Sequence, residues 1–422
     1  MSAPAPVTSG APVPRPADDR CPGVLRAHTA VDGALVRVRI PGGAAPASVL
    51  ATLSELAGRF ADGRLQLTGR GNVQLRGLRS RDGSHPGDAA ARAGVPDDLV
   101  AAVTDLGLLP SDRHERVRNI VTSPLTGRMG GLADLRGLAR ALDDALCDDD
   151  DLGALPGRVL FALDDGRGDV AGPRADFAVR SVAPDRVRMV LGGRWVGPER
   201  ALASAVADLV AAARRFVAVR DGRWQVRELP GGGAELFDDQ GSAPEPVRQL
   251  WTGAPGGPPA LGLHDGDRAG GGRSLVVGAP LGLLTAGQVA ALAAAAATGS
   301  GELIVTPWRS VVVPDLPADR ADEAVRTLSA VGLGVDGDWP WSSLTACTGA
   351  PGCANALAST VDRARALAVA GRSPGGDQDG LPVHVVGCGR RCGAPAGPHV
   401  QWLAIIGGGW ERTVLDGRPT AR

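Results

Sequence analysis

The 422-residue sequence predicts an α+β protein built on an internal repeat, and three observations lead there. A helical pattern, a Gly turn and a strand pair occur in the same order over residues 46–75 and 285–313. Mixed helical and strand periodicity separates the two copies. Four of the six Cys fall C-terminal to residue 346, on two Gly-rich stretches.

Residues 1–20, MSAPAPVTSGAPVPRPADDR, are rich in Ala, Pro and Ser and contain no apolar h-region. They read as a disordered tail and resemble neither a signal peptide nor an anchor. Ala34 to Ile40 (ALVRVRI) is strand-like and precedes the first copy, PASVLATLSELAGRFADGRLQLTGRGNVQL, so residues 21–85 form one strand–helix–strand half-domain of ferredoxin-like type. Ser274 to Gly278 (SLVVG) precedes the second copy, TAGQVAALAAAAATGSGELIVTPWRSVVV, in which Thr306 answers Thr68 and Val311 answers Val73. Residues 273–335 are therefore the second half-domain. Between them, residues 100–229 read as an α/β domain, with helices at Asp134 to Leu146 and Glu199 to Phe216 and strands at Val159 to Leu163 and Val187 to Leu191. Residues 230–272 are rich in Gly, Pro and acid and read as a linker or long loop. Residues 340–415 alternate loop, helix and strand, end on a strand from Val400 to Ile406, and carry both Cys pairs.

Composition narrows the function. With 45 basic against 46 acidic residues the formal net charge is -1, which gives no argument for a nucleic-acid partner or a membrane surface. Every basic residue is Arg, so any anion site must use planar, permanently charged guanidinium groups. The Ala-rich stretch from Gly287 to Gly299 is too short to span a bilayer. Six Cys are too few for a disulfide-stapled secreted fold, and the clustering of four favours a metal. A soluble, cytoplasmic protein is expected.

The chemistry concentrates in CTGAPGC, Cys347 to Cys353, and CGRRC, Cys388 to Cys392. A C-x5-C pair followed by a C-x3-C pair suits a [4Fe-4S] cubane, because four irons need four thiolates from loops that wrap a body larger than one ion. Apolar Leu357, Val361, Ala364 and Leu367 recur at helical spacing, which predicts that Cys353 sits at a helix N-terminus. The alternatives are a structural zinc, whose paired ligands usually stand closer in sequence, and four unrelated buried thiols. Cys21 and Cys147 are isolated and read as structural thiols.

This cysteine pattern, the duplicated half-domains and the Arg motifs LTGRGNVQL and VRNIVTSP resemble the siroheme-dependent sulfite and nitrite reductase family over nearly the whole chain after residue 20. The resemblance implies a fold of two ferredoxin-like half-domains plus nitrite/sulfite reductase-type α/β domains carrying the cluster. It implies that Arg70 with Asn72, Arg118 with Asn119, and Arg158 bind tetrapyrrole carboxylates. In LPGRVLF the family's two lysines are replaced by Arg158 and Leu160, so one positive charge is missing. Within the family, CPGVLRAHTAVDGALVRVRIPGG, LQLTGRGNVQLRGL and VHVVGCGRRCGAP most resemble the branch that hydroxylates a precorrin in aerobic cobalamin synthesis. That branch implies precorrin-3A and dioxygen as substrates, an external NADH-linked electron donor, and a mononuclear non-haem iron whose ligands the sequence does not show. The rivals are a siroheme-holding sulfite or nitrite reductase and a non-catalytic 4Fe-4S electron carrier. His384 reads as a satisfied core residue, and His28, His85, His114, His264 and His399 show no ligand spacing. Trp308, Trp339 and Trp341 read as packing before macrocycle walls.

Overall fold

The computed structural model describes residues 19, 21–78, 95–172, 175–238, 243–246, 257–267, 272–370, 380–395 and 397–417. The first half-domain runs β1 (His28–Ala30), β2 (Gly33–Val38), β3 (Ala44–Pro46), α1 (Ala47–Phe60), β4 (Arg64–Leu67) and β5 (Val73–Leu78), followed by α2 (Asp97–Asp105). α1 forms because Val49, Leu50, Leu53, Leu56 and Ala57 recur on one stripe, and all five are buried.

The central domain comprises β6 (Ile120–Thr122), α3 (Leu138–Cys147), β7 (Phe161–Asp164), β8 (Phe177–Ala183), β9 (Arg186–Leu191), β10 (Trp195–Ala201), α4 (Ala205–Val219) and β11 (Glu245–Pro246). Its strands form one mixed sheet in the order β11-β10-β9-β8-β7-β6. The core between sheet and helices is centred on Phe177, which stacks on Phe161 at 5.1 Å and meets Phe216 edge-on at 5.9 Å.

The second half-domain repeats the first: β12 (Gly262–His264), β13 (Arg273–Gly278), β14 (Leu283–Thr285), α5 (Ala286–Ala296), β15 (Glu302–Val305), β16 (Ser310–Leu316) and α6 (Ala318–Ala330). Thr285 and Gln288 close a reciprocal capping box at the start of α5. The halves exchange a strand each: the first sheet runs β1-β2-β5-β4-β14 and the second β12-β13-β16-β15-β3. Leu283 pairs with Gln66 and Ala45 with Leu303, and one hydrophobic core, with Leu50 and Leu53 from α1 and Val289 and Leu292 from α5, serves both sheets.

The last unit is β17 (Leu344–Ala346), α7 (Thr360–Val369), β18 (Val383–Val386), β19 (His399–Ala404) and β20 (Trp410–Leu415), with the first three strands parallel and β20 antiparallel. No described helix is long and apolar enough to cross a membrane.

Several elements differ from expectation. Glu199 to Ala201 ends β10, and the helix starts only at Ala205. The helix expected from Asp134 begins at Leu138. In the stretch read as a linker, Leu263 pairs with Leu275, so β12 joins the second sheet as its edge strand. Strands of three residues are too short to show a period. The N-terminal tail lies outside the described residues apart from Asp19, whose carboxylate accepts N–H bonds from Cys21 and Gly157.

Candidate active site

The two cysteine loops follow β17 and β18 at the same end of the last sheet. Cys347 leaves β17 with its N–H on the Val385 carbonyl and its own carbonyl accepting the Thr360 hydroxyl at 2.7 Å. Its Sγ accepts the Gly387 N–H at 3.3 Å. The loops are stitched together by Leu357 N–H to the Gly387 carbonyl, and a side chain at Gly387 would strike Ala356. His384 donates its Nε2–H to the Cys392 carbonyl at 3.0 Å and shares a hydrogen bond between Nδ1 and Thr345 Oγ1 at 2.8 Å, which makes it a clamp within the unit. Cys353 does not stand at a helix N-terminus. α7 begins seven residues later, where Ser359 caps it by accepting the Asp362 N–H, and Leu357 is exposed.

The four sulfurs are not gathered as one tetrahedral ion would hold them. Thiolates around one zinc at ~2.3 Å stand about 3.8 Å apart, whereas no three of these sulfurs come within 4.8 Å of one another. The thiol of Cys347 is raised first by burial and then by Cys392 and Cys388 beside it, against the Gly387 and Gly349 N–H groups that lower it. Backbone N–H groups of Gly387 and Gly349 face the Cys347 sulfur, donors that an anionic cluster would use.

Cys347 and Cys392 line a cleft of about 970 Å³. Its opposite wall is a face of the first sheet, and the strand period of two makes that face. Val36, Val38, Leu65, Leu67, Val73 and Leu75 point into the core. Their neighbours Arg37, Arg39, Arg64, Gln66, Gln74 and Arg76 share the other side. Arg37 donates to Gln74 Oε1 at 3.1 Å, and Gln74 donates to Gln66 Oε1 at 2.7 Å. Arg76 is bidentate to Asp32, at 2.6 and 3.0 Å, and also donates to the Gly352 carbonyl beside Cys353. Arg39 is 2% exposed, holds the Pro22 and Arg116 carbonyls, and is lowered by burial and by neighbouring Arg37 and Arg70. Arg64, Gln66, Arg76, Leu281 and Arg309 border the cleft directly.

The Arg and Asn residues expected to bind the macrocycle stand outside this cleft. Arg118 is 2% exposed, and its guanidinium is bidentate to Asp143 at 2.7 and 2.5 Å, with its third bond to the Leu108 carbonyl. It is a buried structural ion pair. Asn72 and Asn119 are fully buried and bond each other at 3.2 Å. Asn72 accepts the Ile40 N–H, and Asn119 donates to the carbonyls of Arg116, Gly157 and Val159. Both asparagines brace backbone. Arg70 reaches the Gly157 and Arg158 carbonyls at 3.1 and 2.6 Å, tying the first half-domain to the central one. Arg158 is exposed, with its guanidinium 4.9 Å from the Trp224 ring. Leu160 lies in the apolar core with Val121 and Ala162. None of the five borders the cleft beside the cysteines. The polar face of the first sheet lies in the sequence as VRVRI, RLQL and VQLR, where polar residues alternate with buried ones.

Trp308 packs on that central apolar core, Trp339 fills the space over Gly278 and Gly334, and Trp341 packs in the last unit. His114 is held by Ser111 and the Asp149 carbonyl, and His85 lies outside the described residues. Among the described residues, the one close-set group of three ligand side chains is Asp164, Asp165 and Asp169. Arg167 pairs with two of them, and Asp164 is saturated by the N–H groups of Gly166, Gly168, Val170 and Ala171. No histidine-bearing ligand set for a mononuclear iron forms there.

The family described as nitrite/sulfite reductase ferredoxin-like half domain matches residues 28–82 and 266–331, one match on each half-domain. A curated precorrin-3B synthase from Sinorhizobium sp is 27% identical over 410 residues, covering 92% of this chain and 80% of that protein. A ferredoxin–nitrite reductase from Synechococcus elongatus is 27% identical over 408 residues, covering 86% and 74%. The solved structure of the Mycobacterium tuberculosis NirA protein shares the fold, with a TM-score of 0.65 at 20% identity over 90% of this chain and 73% of that one. Each half-domain thus matches the nitrite/sulfite reductase ferredoxin-like half-domain model, and the chain shares its overall fold with the NirA structure.

Proposed function

We propose that this chain is a precorrin-3B synthase, an oxidoreductase that places one oxygen atom of dioxygen on precorrin-3A while a ring acetate closes a lactone. The second oxygen atom leaves as water, with two electrons and two protons drawn from an external NADH-linked donor. The observation that carries this reading is the cleft: its volume suits a macrocycle, and a wall bearing Arg64, Gln66 and Arg76, with Asp32 and Asp62 among them, is set against two cysteine loops. Arg side chains match carboxylates in bidentate geometry, and a precorrin is rich in carboxylates. The similarity to a precorrin-3B synthase over most of both chains supports it further.

Cys347, Cys353, Cys388 and Cys392 would hold a [4Fe-4S] cluster, which supplies electrons one at a time when bound. The protein's own work is positioning. Arg64 meets an acidic arm of the macrocycle at the cleft wall, Arg76 braces that wall through Asp32 and the Gly352 carbonyl, and Gln66 supplies a neutral donor beside them. Leu160, buried in apolar surroundings, removes the charge that reduction of a small oxyanion would need. A second reading, siroheme-dependent nitrite or sulfite reduction, draws on the ferredoxin–nitrite reductase similarity and would place siroheme in the same cleft.

The test is purification under anaerobic conditions with iron and sulfide analysis, absorption and electron paramagnetic resonance spectra, then addition of precorrin-3A and oxygen. A reducible cubane signal without siroheme bands, with oxygen-dependent product, is expected. Siroheme bands with nitrite turnover would overturn the reading, and zinc without sulfide would sink both.

A further inference from the structure

We infer that Arg309 is a carboxylate-binding residue of the cleft, held there in a strained backbone conformation that the fold would otherwise give to glycine; this rests on the tetrapyrrole reading above. The repeat supplies the comparison. In the first half-domain Thr68 N–H bonds the Asn72 carbonyl at 2.9 Å and Gly71 N–H returns to the Thr68 carbonyl at 3.2 Å. In the second, Thr306 bonds Ser310 at 2.9 Å and Arg309 returns to Thr306 at 3.1 Å. The two turns are the same, and the equivalent residues have φ of 66° at Gly71 and 63° at Arg309. Glycine enters that left-handed region freely, whereas a long L side chain is strained there and lacks the local hydrogen bonding of Asn or Asp.

A second substitution of the same kind lies beside it. Gly42, with φ of 72°, opens the tight turn after Ile40, and its counterpart after Ala279 is Leu281, with φ of 55°. Leu281 and Arg309 both border the cleft with Cys347 and Cys392. Room for the arginine is built in: a Cβ at Gly282 would come within 2.9 Å of both Cβ and Cδ of Arg309. In the first half-domain these two turns use glycine and do not border the cleft, whereas in the second the equivalent turns carry side chains that do. Strain retained at a cavity wall, where the sister copy shows a relaxed solution, points to work done by the side chain. A guanidinium there faces the carboxylate arms of a macrocycle from the second half-domain, while Arg64 faces them from the first.

The experiment titrates full-length wild type, Arg309→Gly and Arg309→Lys with uroporphyrin, an octacarboxylate porphyrin, by fluorescence quenching, and measures urea unfolding midpoints of the same three proteins. Arg309→Gly should unfold at the same or higher urea, because the strain is relieved, yet bind uroporphyrin about tenfold or more weakly. Arg309→Lys should recover part of the affinity. Unchanged affinity in Arg309→Gly, with wild type binding well, would overturn the inference alone, as would a fall in both midpoint and affinity, which marks a structural residue. Failure of wild type to bind uroporphyrin would sink the tetrapyrrole reading itself.

Discussion

Replacing Arg118 by Ala separates a structural arginine from a substrate-binding one. The guanidinium gives three bonds inside the protein, two to Asp143 and one to the Leu108 carbonyl, and Asp143 is itself 8% exposed. Truncation leaves a carboxylate in the interior without its partner and a carbonyl without its donor. Breaking one side of such a pair costs about 3–5 kcal/mol, and Coulomb attraction at ~4 Å with an effective dielectric near 20 is of the same order, about 4 kcal/mol. For a domain of this size that is a fall of roughly 10 °C in melting temperature. Arg118→Ala should therefore melt near that much lower. The double replacement Arg118→Met with Asp143→Leu should recover most of the loss, because an apolar pair of similar volume avoids the stranded charge. Calorimetry reads the first quantity and uroporphyrin titration the second, which should be unchanged in the folded double variant. A single variant with wild-type melting and lost tetrapyrrole binding would refute the structural assignment and return Arg118 to the site.

Replacing any one of Cys347, Cys353, Cys388 or Cys392 by Ser should lower bound iron and sulfide to near zero in anaerobically purified protein, while Cys21→Ser and Cys147→Ser leave both unchanged. Gly352→Ala should loosen the first cysteine loop, since a Cβ there would stand 2.8 Å from Asp32 Oδ2 and 3.1 Å from Arg76 Nε. Faster loss of iron to a chelator is the readout, and wild-type retention would count against the contact. Burial, with Asp164 and Asp165 adding to it, pushes Asp169 up to about 7. The folded state then keeps a proton that the unfolded chain releases near pH 4. The stabilisation is complete below about pH 4 and is lost as pH rises through about 7. Asp169→Asn should flatten that decline in urea midpoints between pH 5 and pH 8. Arg70→Ala, which frees the Gly157 and Arg158 carbonyls, should weaken the junction between the first half-domain and the central domain and expose it to limited proteolysis.

The sequence made the repeat legible because both copies keep a helical stripe followed by a turn with the same Thr, and it made the cysteine loops legible because thiolate spacing is local. The roles of individual arginines were not legible. Arg118 and Arg76 look alike in sequence, and what separates them is an acid 25 residues away in one case and 44 in the other, with a backbone carbonyl 276 residues away as well. Partners at such separations are fixed by tertiary packing. The Arg and Gln face of the first sheet was present as alternation along Arg37–Arg39, Arg64–Gln66 and Gln74–Arg76, but registering three strands against one another needs the pairs Arg37 with Gln74 and Gln66 with Gln74. The helix expected at Cys353 failed because Ser359 with Asp362 offers a better start, and a cap outweighs an apolar period of four positions.

The exchange of β3 and β14 bears on how the two copies depend on each other. Removing residues 262–316 would take β14 away and leave β4 with an unpaired edge, and removing residues 28–78 would do the same to β15. Each copy is thus completed by three residues borrowed from its sister, so the pair behaves as a swapped dimer tied into one chain. Such an object unfolds as a unit. Fragments cut between the copies should be aggregation-prone apart, through those open edges, and regain a closed pair of sheets when mixed.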